Sequence, residues 1–158
     1  PEEVTAEFYI RALDKHYLKK LIDKVDDCAA GAAIATQTTW EKYPTAAIYD
    51  NMKPNPTGAA ALAEIYDELG IEVNGDHDKI FGSSDAGNVS FACPGFHPCL
   101  QIVDENIPIH TREFAEAMKS ERAHQGLVVG AKIITLQIAK IFSDEEKLNA
   151  MKADFAEK

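Results

Sequence analysis

The sequence predicts an α/β (α+β) protein, and three observations carry that expectation. Apolar residues recur at the three-and-four spacing of a helix face after Asp14, after Gly58 and after Ser120. Short runs rich in β-branched and aromatic residues lie before and between them, at Val4–Ala12 and Thr36–Asp50. Finally, Gly82–His110 reads GSSDAGNVSFACPGFHPCLQIVDENIPIH: a glycine-flanked polar loop, an apolar run, a Pro-Gly break and a second apolar run, which together predict a strand–turn–strand unit.

In chain order, VTAEFYIRA (4–12) alternates loosely and is expected to be a strand. Asp14 then suits a helix N-cap, because its carboxylate can accept from the unpaired N–H groups of a first turn. Leu18, Leu21, Ile22, Val25, Cys28, Ala29 and Ala32 share one face of that helix. Thr36–Asp50, with Trp40, Tyr43, Ile48 and Tyr49, predicts a second strand that Pro44 confines to an edge or a bulge. Residues 1–53 thus read strand–helix–strand, half of a small α/β sandwich and too few elements to stand alone. Pro1 opens this run without a methionine, the expected signature of an excised piece.

Lys53–Gly58 (KPNPTG) reads as a linker, and residues 54–158 as a second unit. It is expected to hold a helix from Ala59 to Leu69 stopped by Gly70, a polar loop over Ile71–Ile80, the strand–turn–strand unit, and a long helix from about Ser120 to Phe142. In the long helix Gly126, Gly130 and Ala131 allow close packing. Ser143-Asp144-Glu145-Glu146 has the capping-box pattern and starts a last, largely polar helix.

Charge and composition restrict the partners. Twenty-six acidic against sixteen basic residues give a net charge of −10, which repels phosphate backbones and anionic lipid and argues against nucleic acid or a membrane surface. No uninterrupted apolar run approaches the roughly 20 residues that span a bilayer. Three cysteines, an odd number, predict a reducing, cytoplasmic compartment, with a Cys93–Cys99 bridge across the turn as the alternative.

Several side chains are candidates for a site. His110 follows an apolar run, and Thr111 and Glu113 beside it could hold its second ring nitrogen; the residues fit a metal ligand or a histidine bonded to backbone. His97 fits a ligand, a substrate contact or a turn residue. Cys93, His97, Cys99 and His110 do not have the spacing of a zinc finger or ribbon. Asp76-His77-Asp78 reads as solvated loop and His16 as a polar-face residue, while His124 opens the long helix. In GSSDAGNVS, Gly82 and Gly87 let backbone approach a ligand, and Ser83, Ser84, Asp85 and Asn88 cluster polar groups, several of them donors suited to a carboxylate.

The blocks GSSDAGNVS, PGFHPCLQI, IHTREF and AHQGLVVGAK, in this order, are similar to the C-terminal part of zinc amidohydrolases of the family-twenty metallopeptidases. Within that family the resemblance is greatest to the p-aminobenzoyl-glutamate hydrolases and the aminoacylase-like dipeptidases. YIRALDKHYLKKLIDKVDDCAAGAA resembles the second half of the lid, or dimerisation, domain inserted in these enzymes. The resemblance therefore implies that 1–53 is half of a lid and 54–158 the C-terminal part of a catalytic domain. It further implies a homodimer formed through the lid, and hydrolysis of an amide bond in an N-acyl amino acid or dipeptide by water activated on two zinc ions, with manganese as the alternative metal.

By the same resemblance His110 matches the last metal ligand. Gly82, Ser83, Asp85 and Asn88 fall at the substrate pocket and Arg11 in the lid; His97, read from the residues alone, is counted with them as a substrate contact. The family's other ligands, a His-x-Asp or Cys-x-His pair, and its Glu-Glu general base have no counterpart here, so no catalytic residue is assigned to this chain. Taken alone it is expected to be inactive and not to retain zinc. The competing expectation is a non-catalytic association module.

Overall fold

A computed structural model describes residues 2–73, 82–104 and 106–157. Six helices form among these residues: α1 (Lys15–Thr36), α2 (Pro56–Glu68), α3 (Ala86–Ser90), α4 (Arg112–Ala117), α5 (Glu121–Phe142) and α6 (Glu145–Ala156). No strand forms among them. The α/β expectation is thus met in its helices alone.

The helices start where local chemistry directs. The Asp14 carboxylate accepts from the Tyr17 N–H at 2.8 Å, as expected, and Ser120 caps α5 in the same manner. The KPNPTG segment is not a free linker: Asn55 is the N-cap of α2, its Oδ1 accepting from the Gly58 N–H at 2.9 Å, and Pro56 occupies the first turn. Proline is preorganised there and lacks an N–H that the turn would leave unpaired. Gly70, at φ +64°, follows the end of α2 in the left-handed region that glycine enters freely. The cap of α6 is Asp144 rather than Ser143, which instead closes α5.

The core lies where α2 meets α5. Leu62, Ile65 and Tyr66 pack with Ile133, and Phe96, Leu100, Val129 and Leu136 surround them. The small residues of α5 serve as expected: a Cβ on Gly126 would lie 2.6 Å from Ile102 Cγ2, and one on Gly130 would lie 3.9 Å from Leu100. The stretch Phe96–Ile102 therefore runs close along this helix. Buried polar groups join α6 to the core, with Asn55 Nδ2 donating to the Met151 carbonyl at 2.9 Å and the Thr57 N–H donating to Asp154 at 2.8 Å. Within this core Gln137 Nε2 reaches the Gly58 carbonyl at 3.2 Å.

The expected strands are corrected. Residues 2–14 and 38–55 are irregular, and Phe8 and Tyr9 stand 73% and 87% exposed. A strand is stable only when a neighbour takes up its N–H and C=O groups, and no described segment faces either run in a ladder. The first half of the Gly82–His110 unit turns instead into α3. There Ser84 Oγ accepts from the Ala86 N–H at 3.2 Å and Ser90 Oγ donates to the Gly87 carbonyl at 2.6 Å, local bonds that compete with a ladder. Cys28, Cys93 and Cys99 are free, so the Cys93–Cys99 bridge does not form. Most of the expected 71–80 loop, with Asp76-His77-Asp78, lies outside the described residues.

By length and composition α5 could cross a membrane, which uninterrupted apolar runs did not foretell. Its sides are used differently. One packs on α2 and α6; the other exposes Leu127, Val128, Ile134, Ile138 and Phe142. A helix apolar on both sides is one that a second layer covers.

Lys140 of α5 pairs with Glu68 and Glu64 of α2, and Lys147 of α6 also reaches Glu64. The hydrogen bond that Lys140 donates to Glu68 holds its ammonium above the ordinary value, as do both carboxylates' charges. Burial, and secondarily Cys99, raises the Tyr66 hydroxyl above the usual tyrosine value. Both groups bind protons more tightly folded than unfolded. Their contribution is complete below the unfolded pKa values and is lost as pH rises through the folded ones. Urea midpoints are expected to fall from pH 9.5 to pH 11.5, values bracketing the ordinary Tyr and Lys range of about 10 to 10.4. Lys140→Met should reduce the slope of that fall.

Candidate functional site

The polar loop 82–85 leads into α3, whose packing fixes where its side chains point. Gly87 and Ser90 are buried, while Gly82, Ser83, Asp85 and Asn88 are exposed. Arg11, 72 residues earlier in the chain, donates from Nη2 to Ser83 Oγ at 3.2 Å. Two of the expected site residues are thus brought together, and a guanidinium stands at the glycine-bearing loop. Among the described residues a Cβ built on Gly82 meets nothing within 4 Å, so none of them covers the loop backbone there. Asp85 opens α3 without capping it through its side chain and accepts weakly from Ser84 Oγ at 3.4 Å.

Asn88 is engaged differently from its expected role as a substrate contact. Its Oδ1 accepts from the Asp50 N–H at 3.2 Å and its Nδ2 donates to the Ile48 carbonyl at 3.0 Å, so both ends of the amide hold backbone. Sequence reasoning also missed the residues around it. Lys15 Nζ lies 3.1 Å from the Asp50 carboxylate and 3.3 Å from the centroid of the Phe91 ring, while the Lys15 N–H donates to Asn51 Oδ1 at 3.0 Å. The Lys53 N–H donates to Ser90 Oγ at 2.8 Å. The hydrogen-bonded partners in this group lie 35 to 40 residues apart in the chain. No local motif announces such contacts.

His110 is exposed, at the end of the turn that precedes α4. Its φ of +66° puts a non-glycine residue in the left-handed region, a placement that costs roughly 1–2 kcal/mol. The turn is secured from the next position: Thr111 Oγ1 donates to the Pro108 carbonyl at 2.8 Å and accepts from the Phe114 N–H at 3.1 Å. The imidazole makes no hydrogen bond to a described residue. Thr111 and Glu113, expected to orient it, instead cap and open α4.

His97 is exposed on the irregular stretch after Phe96, and His16 is exposed on α1. His124 lies with Glu121, Gln125, Val128, Val129 and Lys132 along a shallow groove on α5. Among the described residues no three His, Cys, Asp or Glu side chains converge as a metal site would require. Cys93, His97, Cys99 and His110 therefore do not form a structural zinc centre. Nor do the described residues by themselves fit a catalytic metal, which needs three protein donors with an open position.

No family model matches the chain. It is 33% identical over 151 residues to a Xaa-Arg dipeptidase of Homo sapiens and 32% identical over 152 residues to a Xaa-Arg dipeptidase of Mus musculus. Each alignment covers 94% of this chain. It covers 34% of the human protein and 35% of the mouse protein, so the chain spans about a third of the length of the curated relatives it matches.

Proposed function

We propose that this chain is the C-terminal part of a dipeptidase-like metal-dependent amidohydrolase, with 1–53 as half of its lid and 54–158 as part of its catalytic domain. The observation that carries this reading is the alignment to Xaa-Arg dipeptidases across 94% of the chain. The uncovered side of α5 supports it, since such a face suits a sheet supplied by further protein. On this reading the runs at 4–12 and 36–50 become strands once they have neighbours.

The site residues take roles that their chemistry allows. His110 is one donor to the metal, and the remaining donors and the general base belong to protein beyond these 158 residues. Zinc, or manganese in its place, would supply a polarised carbonyl and an ionised water. Arg11 and Ser83 offer N–H and O–H donors to the free carboxylate of a dipeptide or N-acyl amino acid, beside the open backbone at Gly82. Asp85 gives the same loop a negative charge for a basic substrate side chain, and His97 contributes a polar wall. The reaction is cytoplasmic and involves neither nucleic acid nor a membrane.

Assay of the metal-loaded full-length protein against Xaa-Arg dipeptides, other dipeptides, N-acyl amino acids and p-aminobenzoyl-glutamate tests this. Release of a free amino acid from dipeptides, arginine foremost, is the expected result. No hydrolysis of any of these would refute the reading.

The apolar side chains exposed on the first unit, among them Phe8, Tyr9, Ile34 and Tyr43, favour a second role in association. In that role the lid pairs with the lid of another copy. Light scattering over a wide concentration range should then report a dimer, and a monomer throughout would remove this role.

A further inference from the structure

The helical core is built by α2, α5 and α6, which pack on one another; α1 has no comparable packing on any of them. Among the described residues the α1 unit meets the rest through a compact set of contacts at residues 48–53, through Lys15 over the Phe91 ring and through Arg11 on Ser83. Asn88 grips this segment by two bonds to backbone, from the Asp50 N–H and to the Ile48 carbonyl. Gly87 allows the approach: a Cβ there would lie 1.8 Å from the Asp50 carbonyl oxygen and 2.7 Å from its carbon. No side chain fits without moving backbone. From the opposite side, Lys15 holds the Asp50 carboxylate, and its N–H holds Asn51. The Lys53 N–H is taken up by Ser90. Arg11 then meets Ser83 at the glycine-bearing loop.

We propose that Gly87 and Asn88 are positioning residues that clasp the 48–50 backbone, fix the α1 unit against the helical core and so hold Arg11 at the substrate loop. Asn88 is accordingly a clasp rather than a substrate contact. An amide suits the task because it presents one acceptor and two donors in a fixed plane, matching a backbone N–H and C=O two residues apart. Aspartate would keep the acceptor and turn a carboxylate on the Ile48 carbonyl; alanine would keep neither bond. The inference rests on the dipeptidase reading only for its consequence at the substrate, since the clasp itself is a matter of geometry.

Distance measurement between two nitroxide labels tests it without reference to activity. Cys28 on α1 and Cys93 after α3 are both exposed thiols, and replacing Cys99 and every further cysteine of the full-length protein with serine leaves these two alone for labelling. The parent protein should give one narrow distance peak. Asn88→Ala, Asn88→Asp and Gly87→Ala should each lose that peak to a broad distribution, with the thermal midpoint of Asn88→Ala nearly unchanged. Val89→Ala, at an exposed neighbouring position, should keep it. A broad distribution in the parent, or a narrow peak retained at the parent distance in Asn88→Ala, would overturn the proposal. If Gly87→Ala fails to fold, the two Asn88 variants still decide. In the full-length enzyme the same Asn88→Ala change should raise KM for dipeptides more than it lowers kcat, because Arg11 is displaced while the metal site stays intact.

Discussion

Replacing His110 with alanine in the full-length protein is expected to reduce dipeptide hydrolysis by more than about 100-fold. The loss should exceed the roughly 10–100-fold that follows removal of an outer partner of a metal-bound histidine, because the proposed role of His110 is that of a direct donor. The fold should persist, since His110 is exposed and its ring has no hydrogen-bond partner among the described residues. His110→Gly gives a sharper contrast. Glycine relieves a left-handed backbone worth roughly 1–2 kcal/mol, offset by about 0.4–1 kcal/mol from its freer unfolded chain. That variant should therefore be at least as stable as the parent and equally inactive. Matched activity assays and urea titrations would show activity lost while stability holds.

The second large effect belongs to the core. Ile65 is fully buried between α2 and α5, in contact with the cluster of Leu62, Tyr66 and Ile133. Ile65→Ala should cost about 2–5 kcal/mol, from lost transfer free energy and the cavity left behind, whereas Ile65→Val should cost about 0.5–1.5 kcal/mol. A total stability of roughly 5–15 kcal/mol is usual for a domain, so the alanine variant approaches the limit of folding. Urea unfolding followed by circular dichroism measures both. Equal midpoints for the two variants would mean that α2 and α5 do not pack as described.

The contrast between these positions tracks what was legible in the sequence. The longer helices α1, α2, α5 and α6 were, because their signals are local: the Asp14 cap, the Gly70 stop, the period of α5 and the small residues Gly126 and Gly130 all act within a few turns of chain; the short α3 and α4 were not expected. Even so, Asn55-Pro56 was read as linker although it carries a helix-start signature, a capping side chain followed by proline at the first helical position. The expected strands do not form among the described residues, for a different reason. The composition of 4–12 and 36–50 favours β structure, yet a ladder depends on a partner that no local pattern supplies. Phe8, Tyr9 and Tyr43 consequently remain exposed.

The expected site residues differ in what the fold does with them. Ser83 and Arg11 were both expected near substrate, and they meet; Asn88 was expected there too, and it holds backbone instead. Lys15, Asp50 and Phe91 carried no expectation, because their association joins segments about 35 to 76 residues apart and only the folded chain brings them together. His110 was matched to a metal ligand by the family resemblance, its neighbours Thr111 and Glu113 leaving a backbone-bonded histidine open as well. Its left-handed backbone, the feature that most sets it apart, is invisible in composition or spacing.

A structure of the zinc-bound full-length protein tests the central claim most directly. The account predicts a ring nitrogen of His110 at about 2.0–2.1 Å from zinc, with the remaining donors drawn from protein outside these 158 residues. A fully ligated zinc with the His110 ring turned to solvent would contradict it.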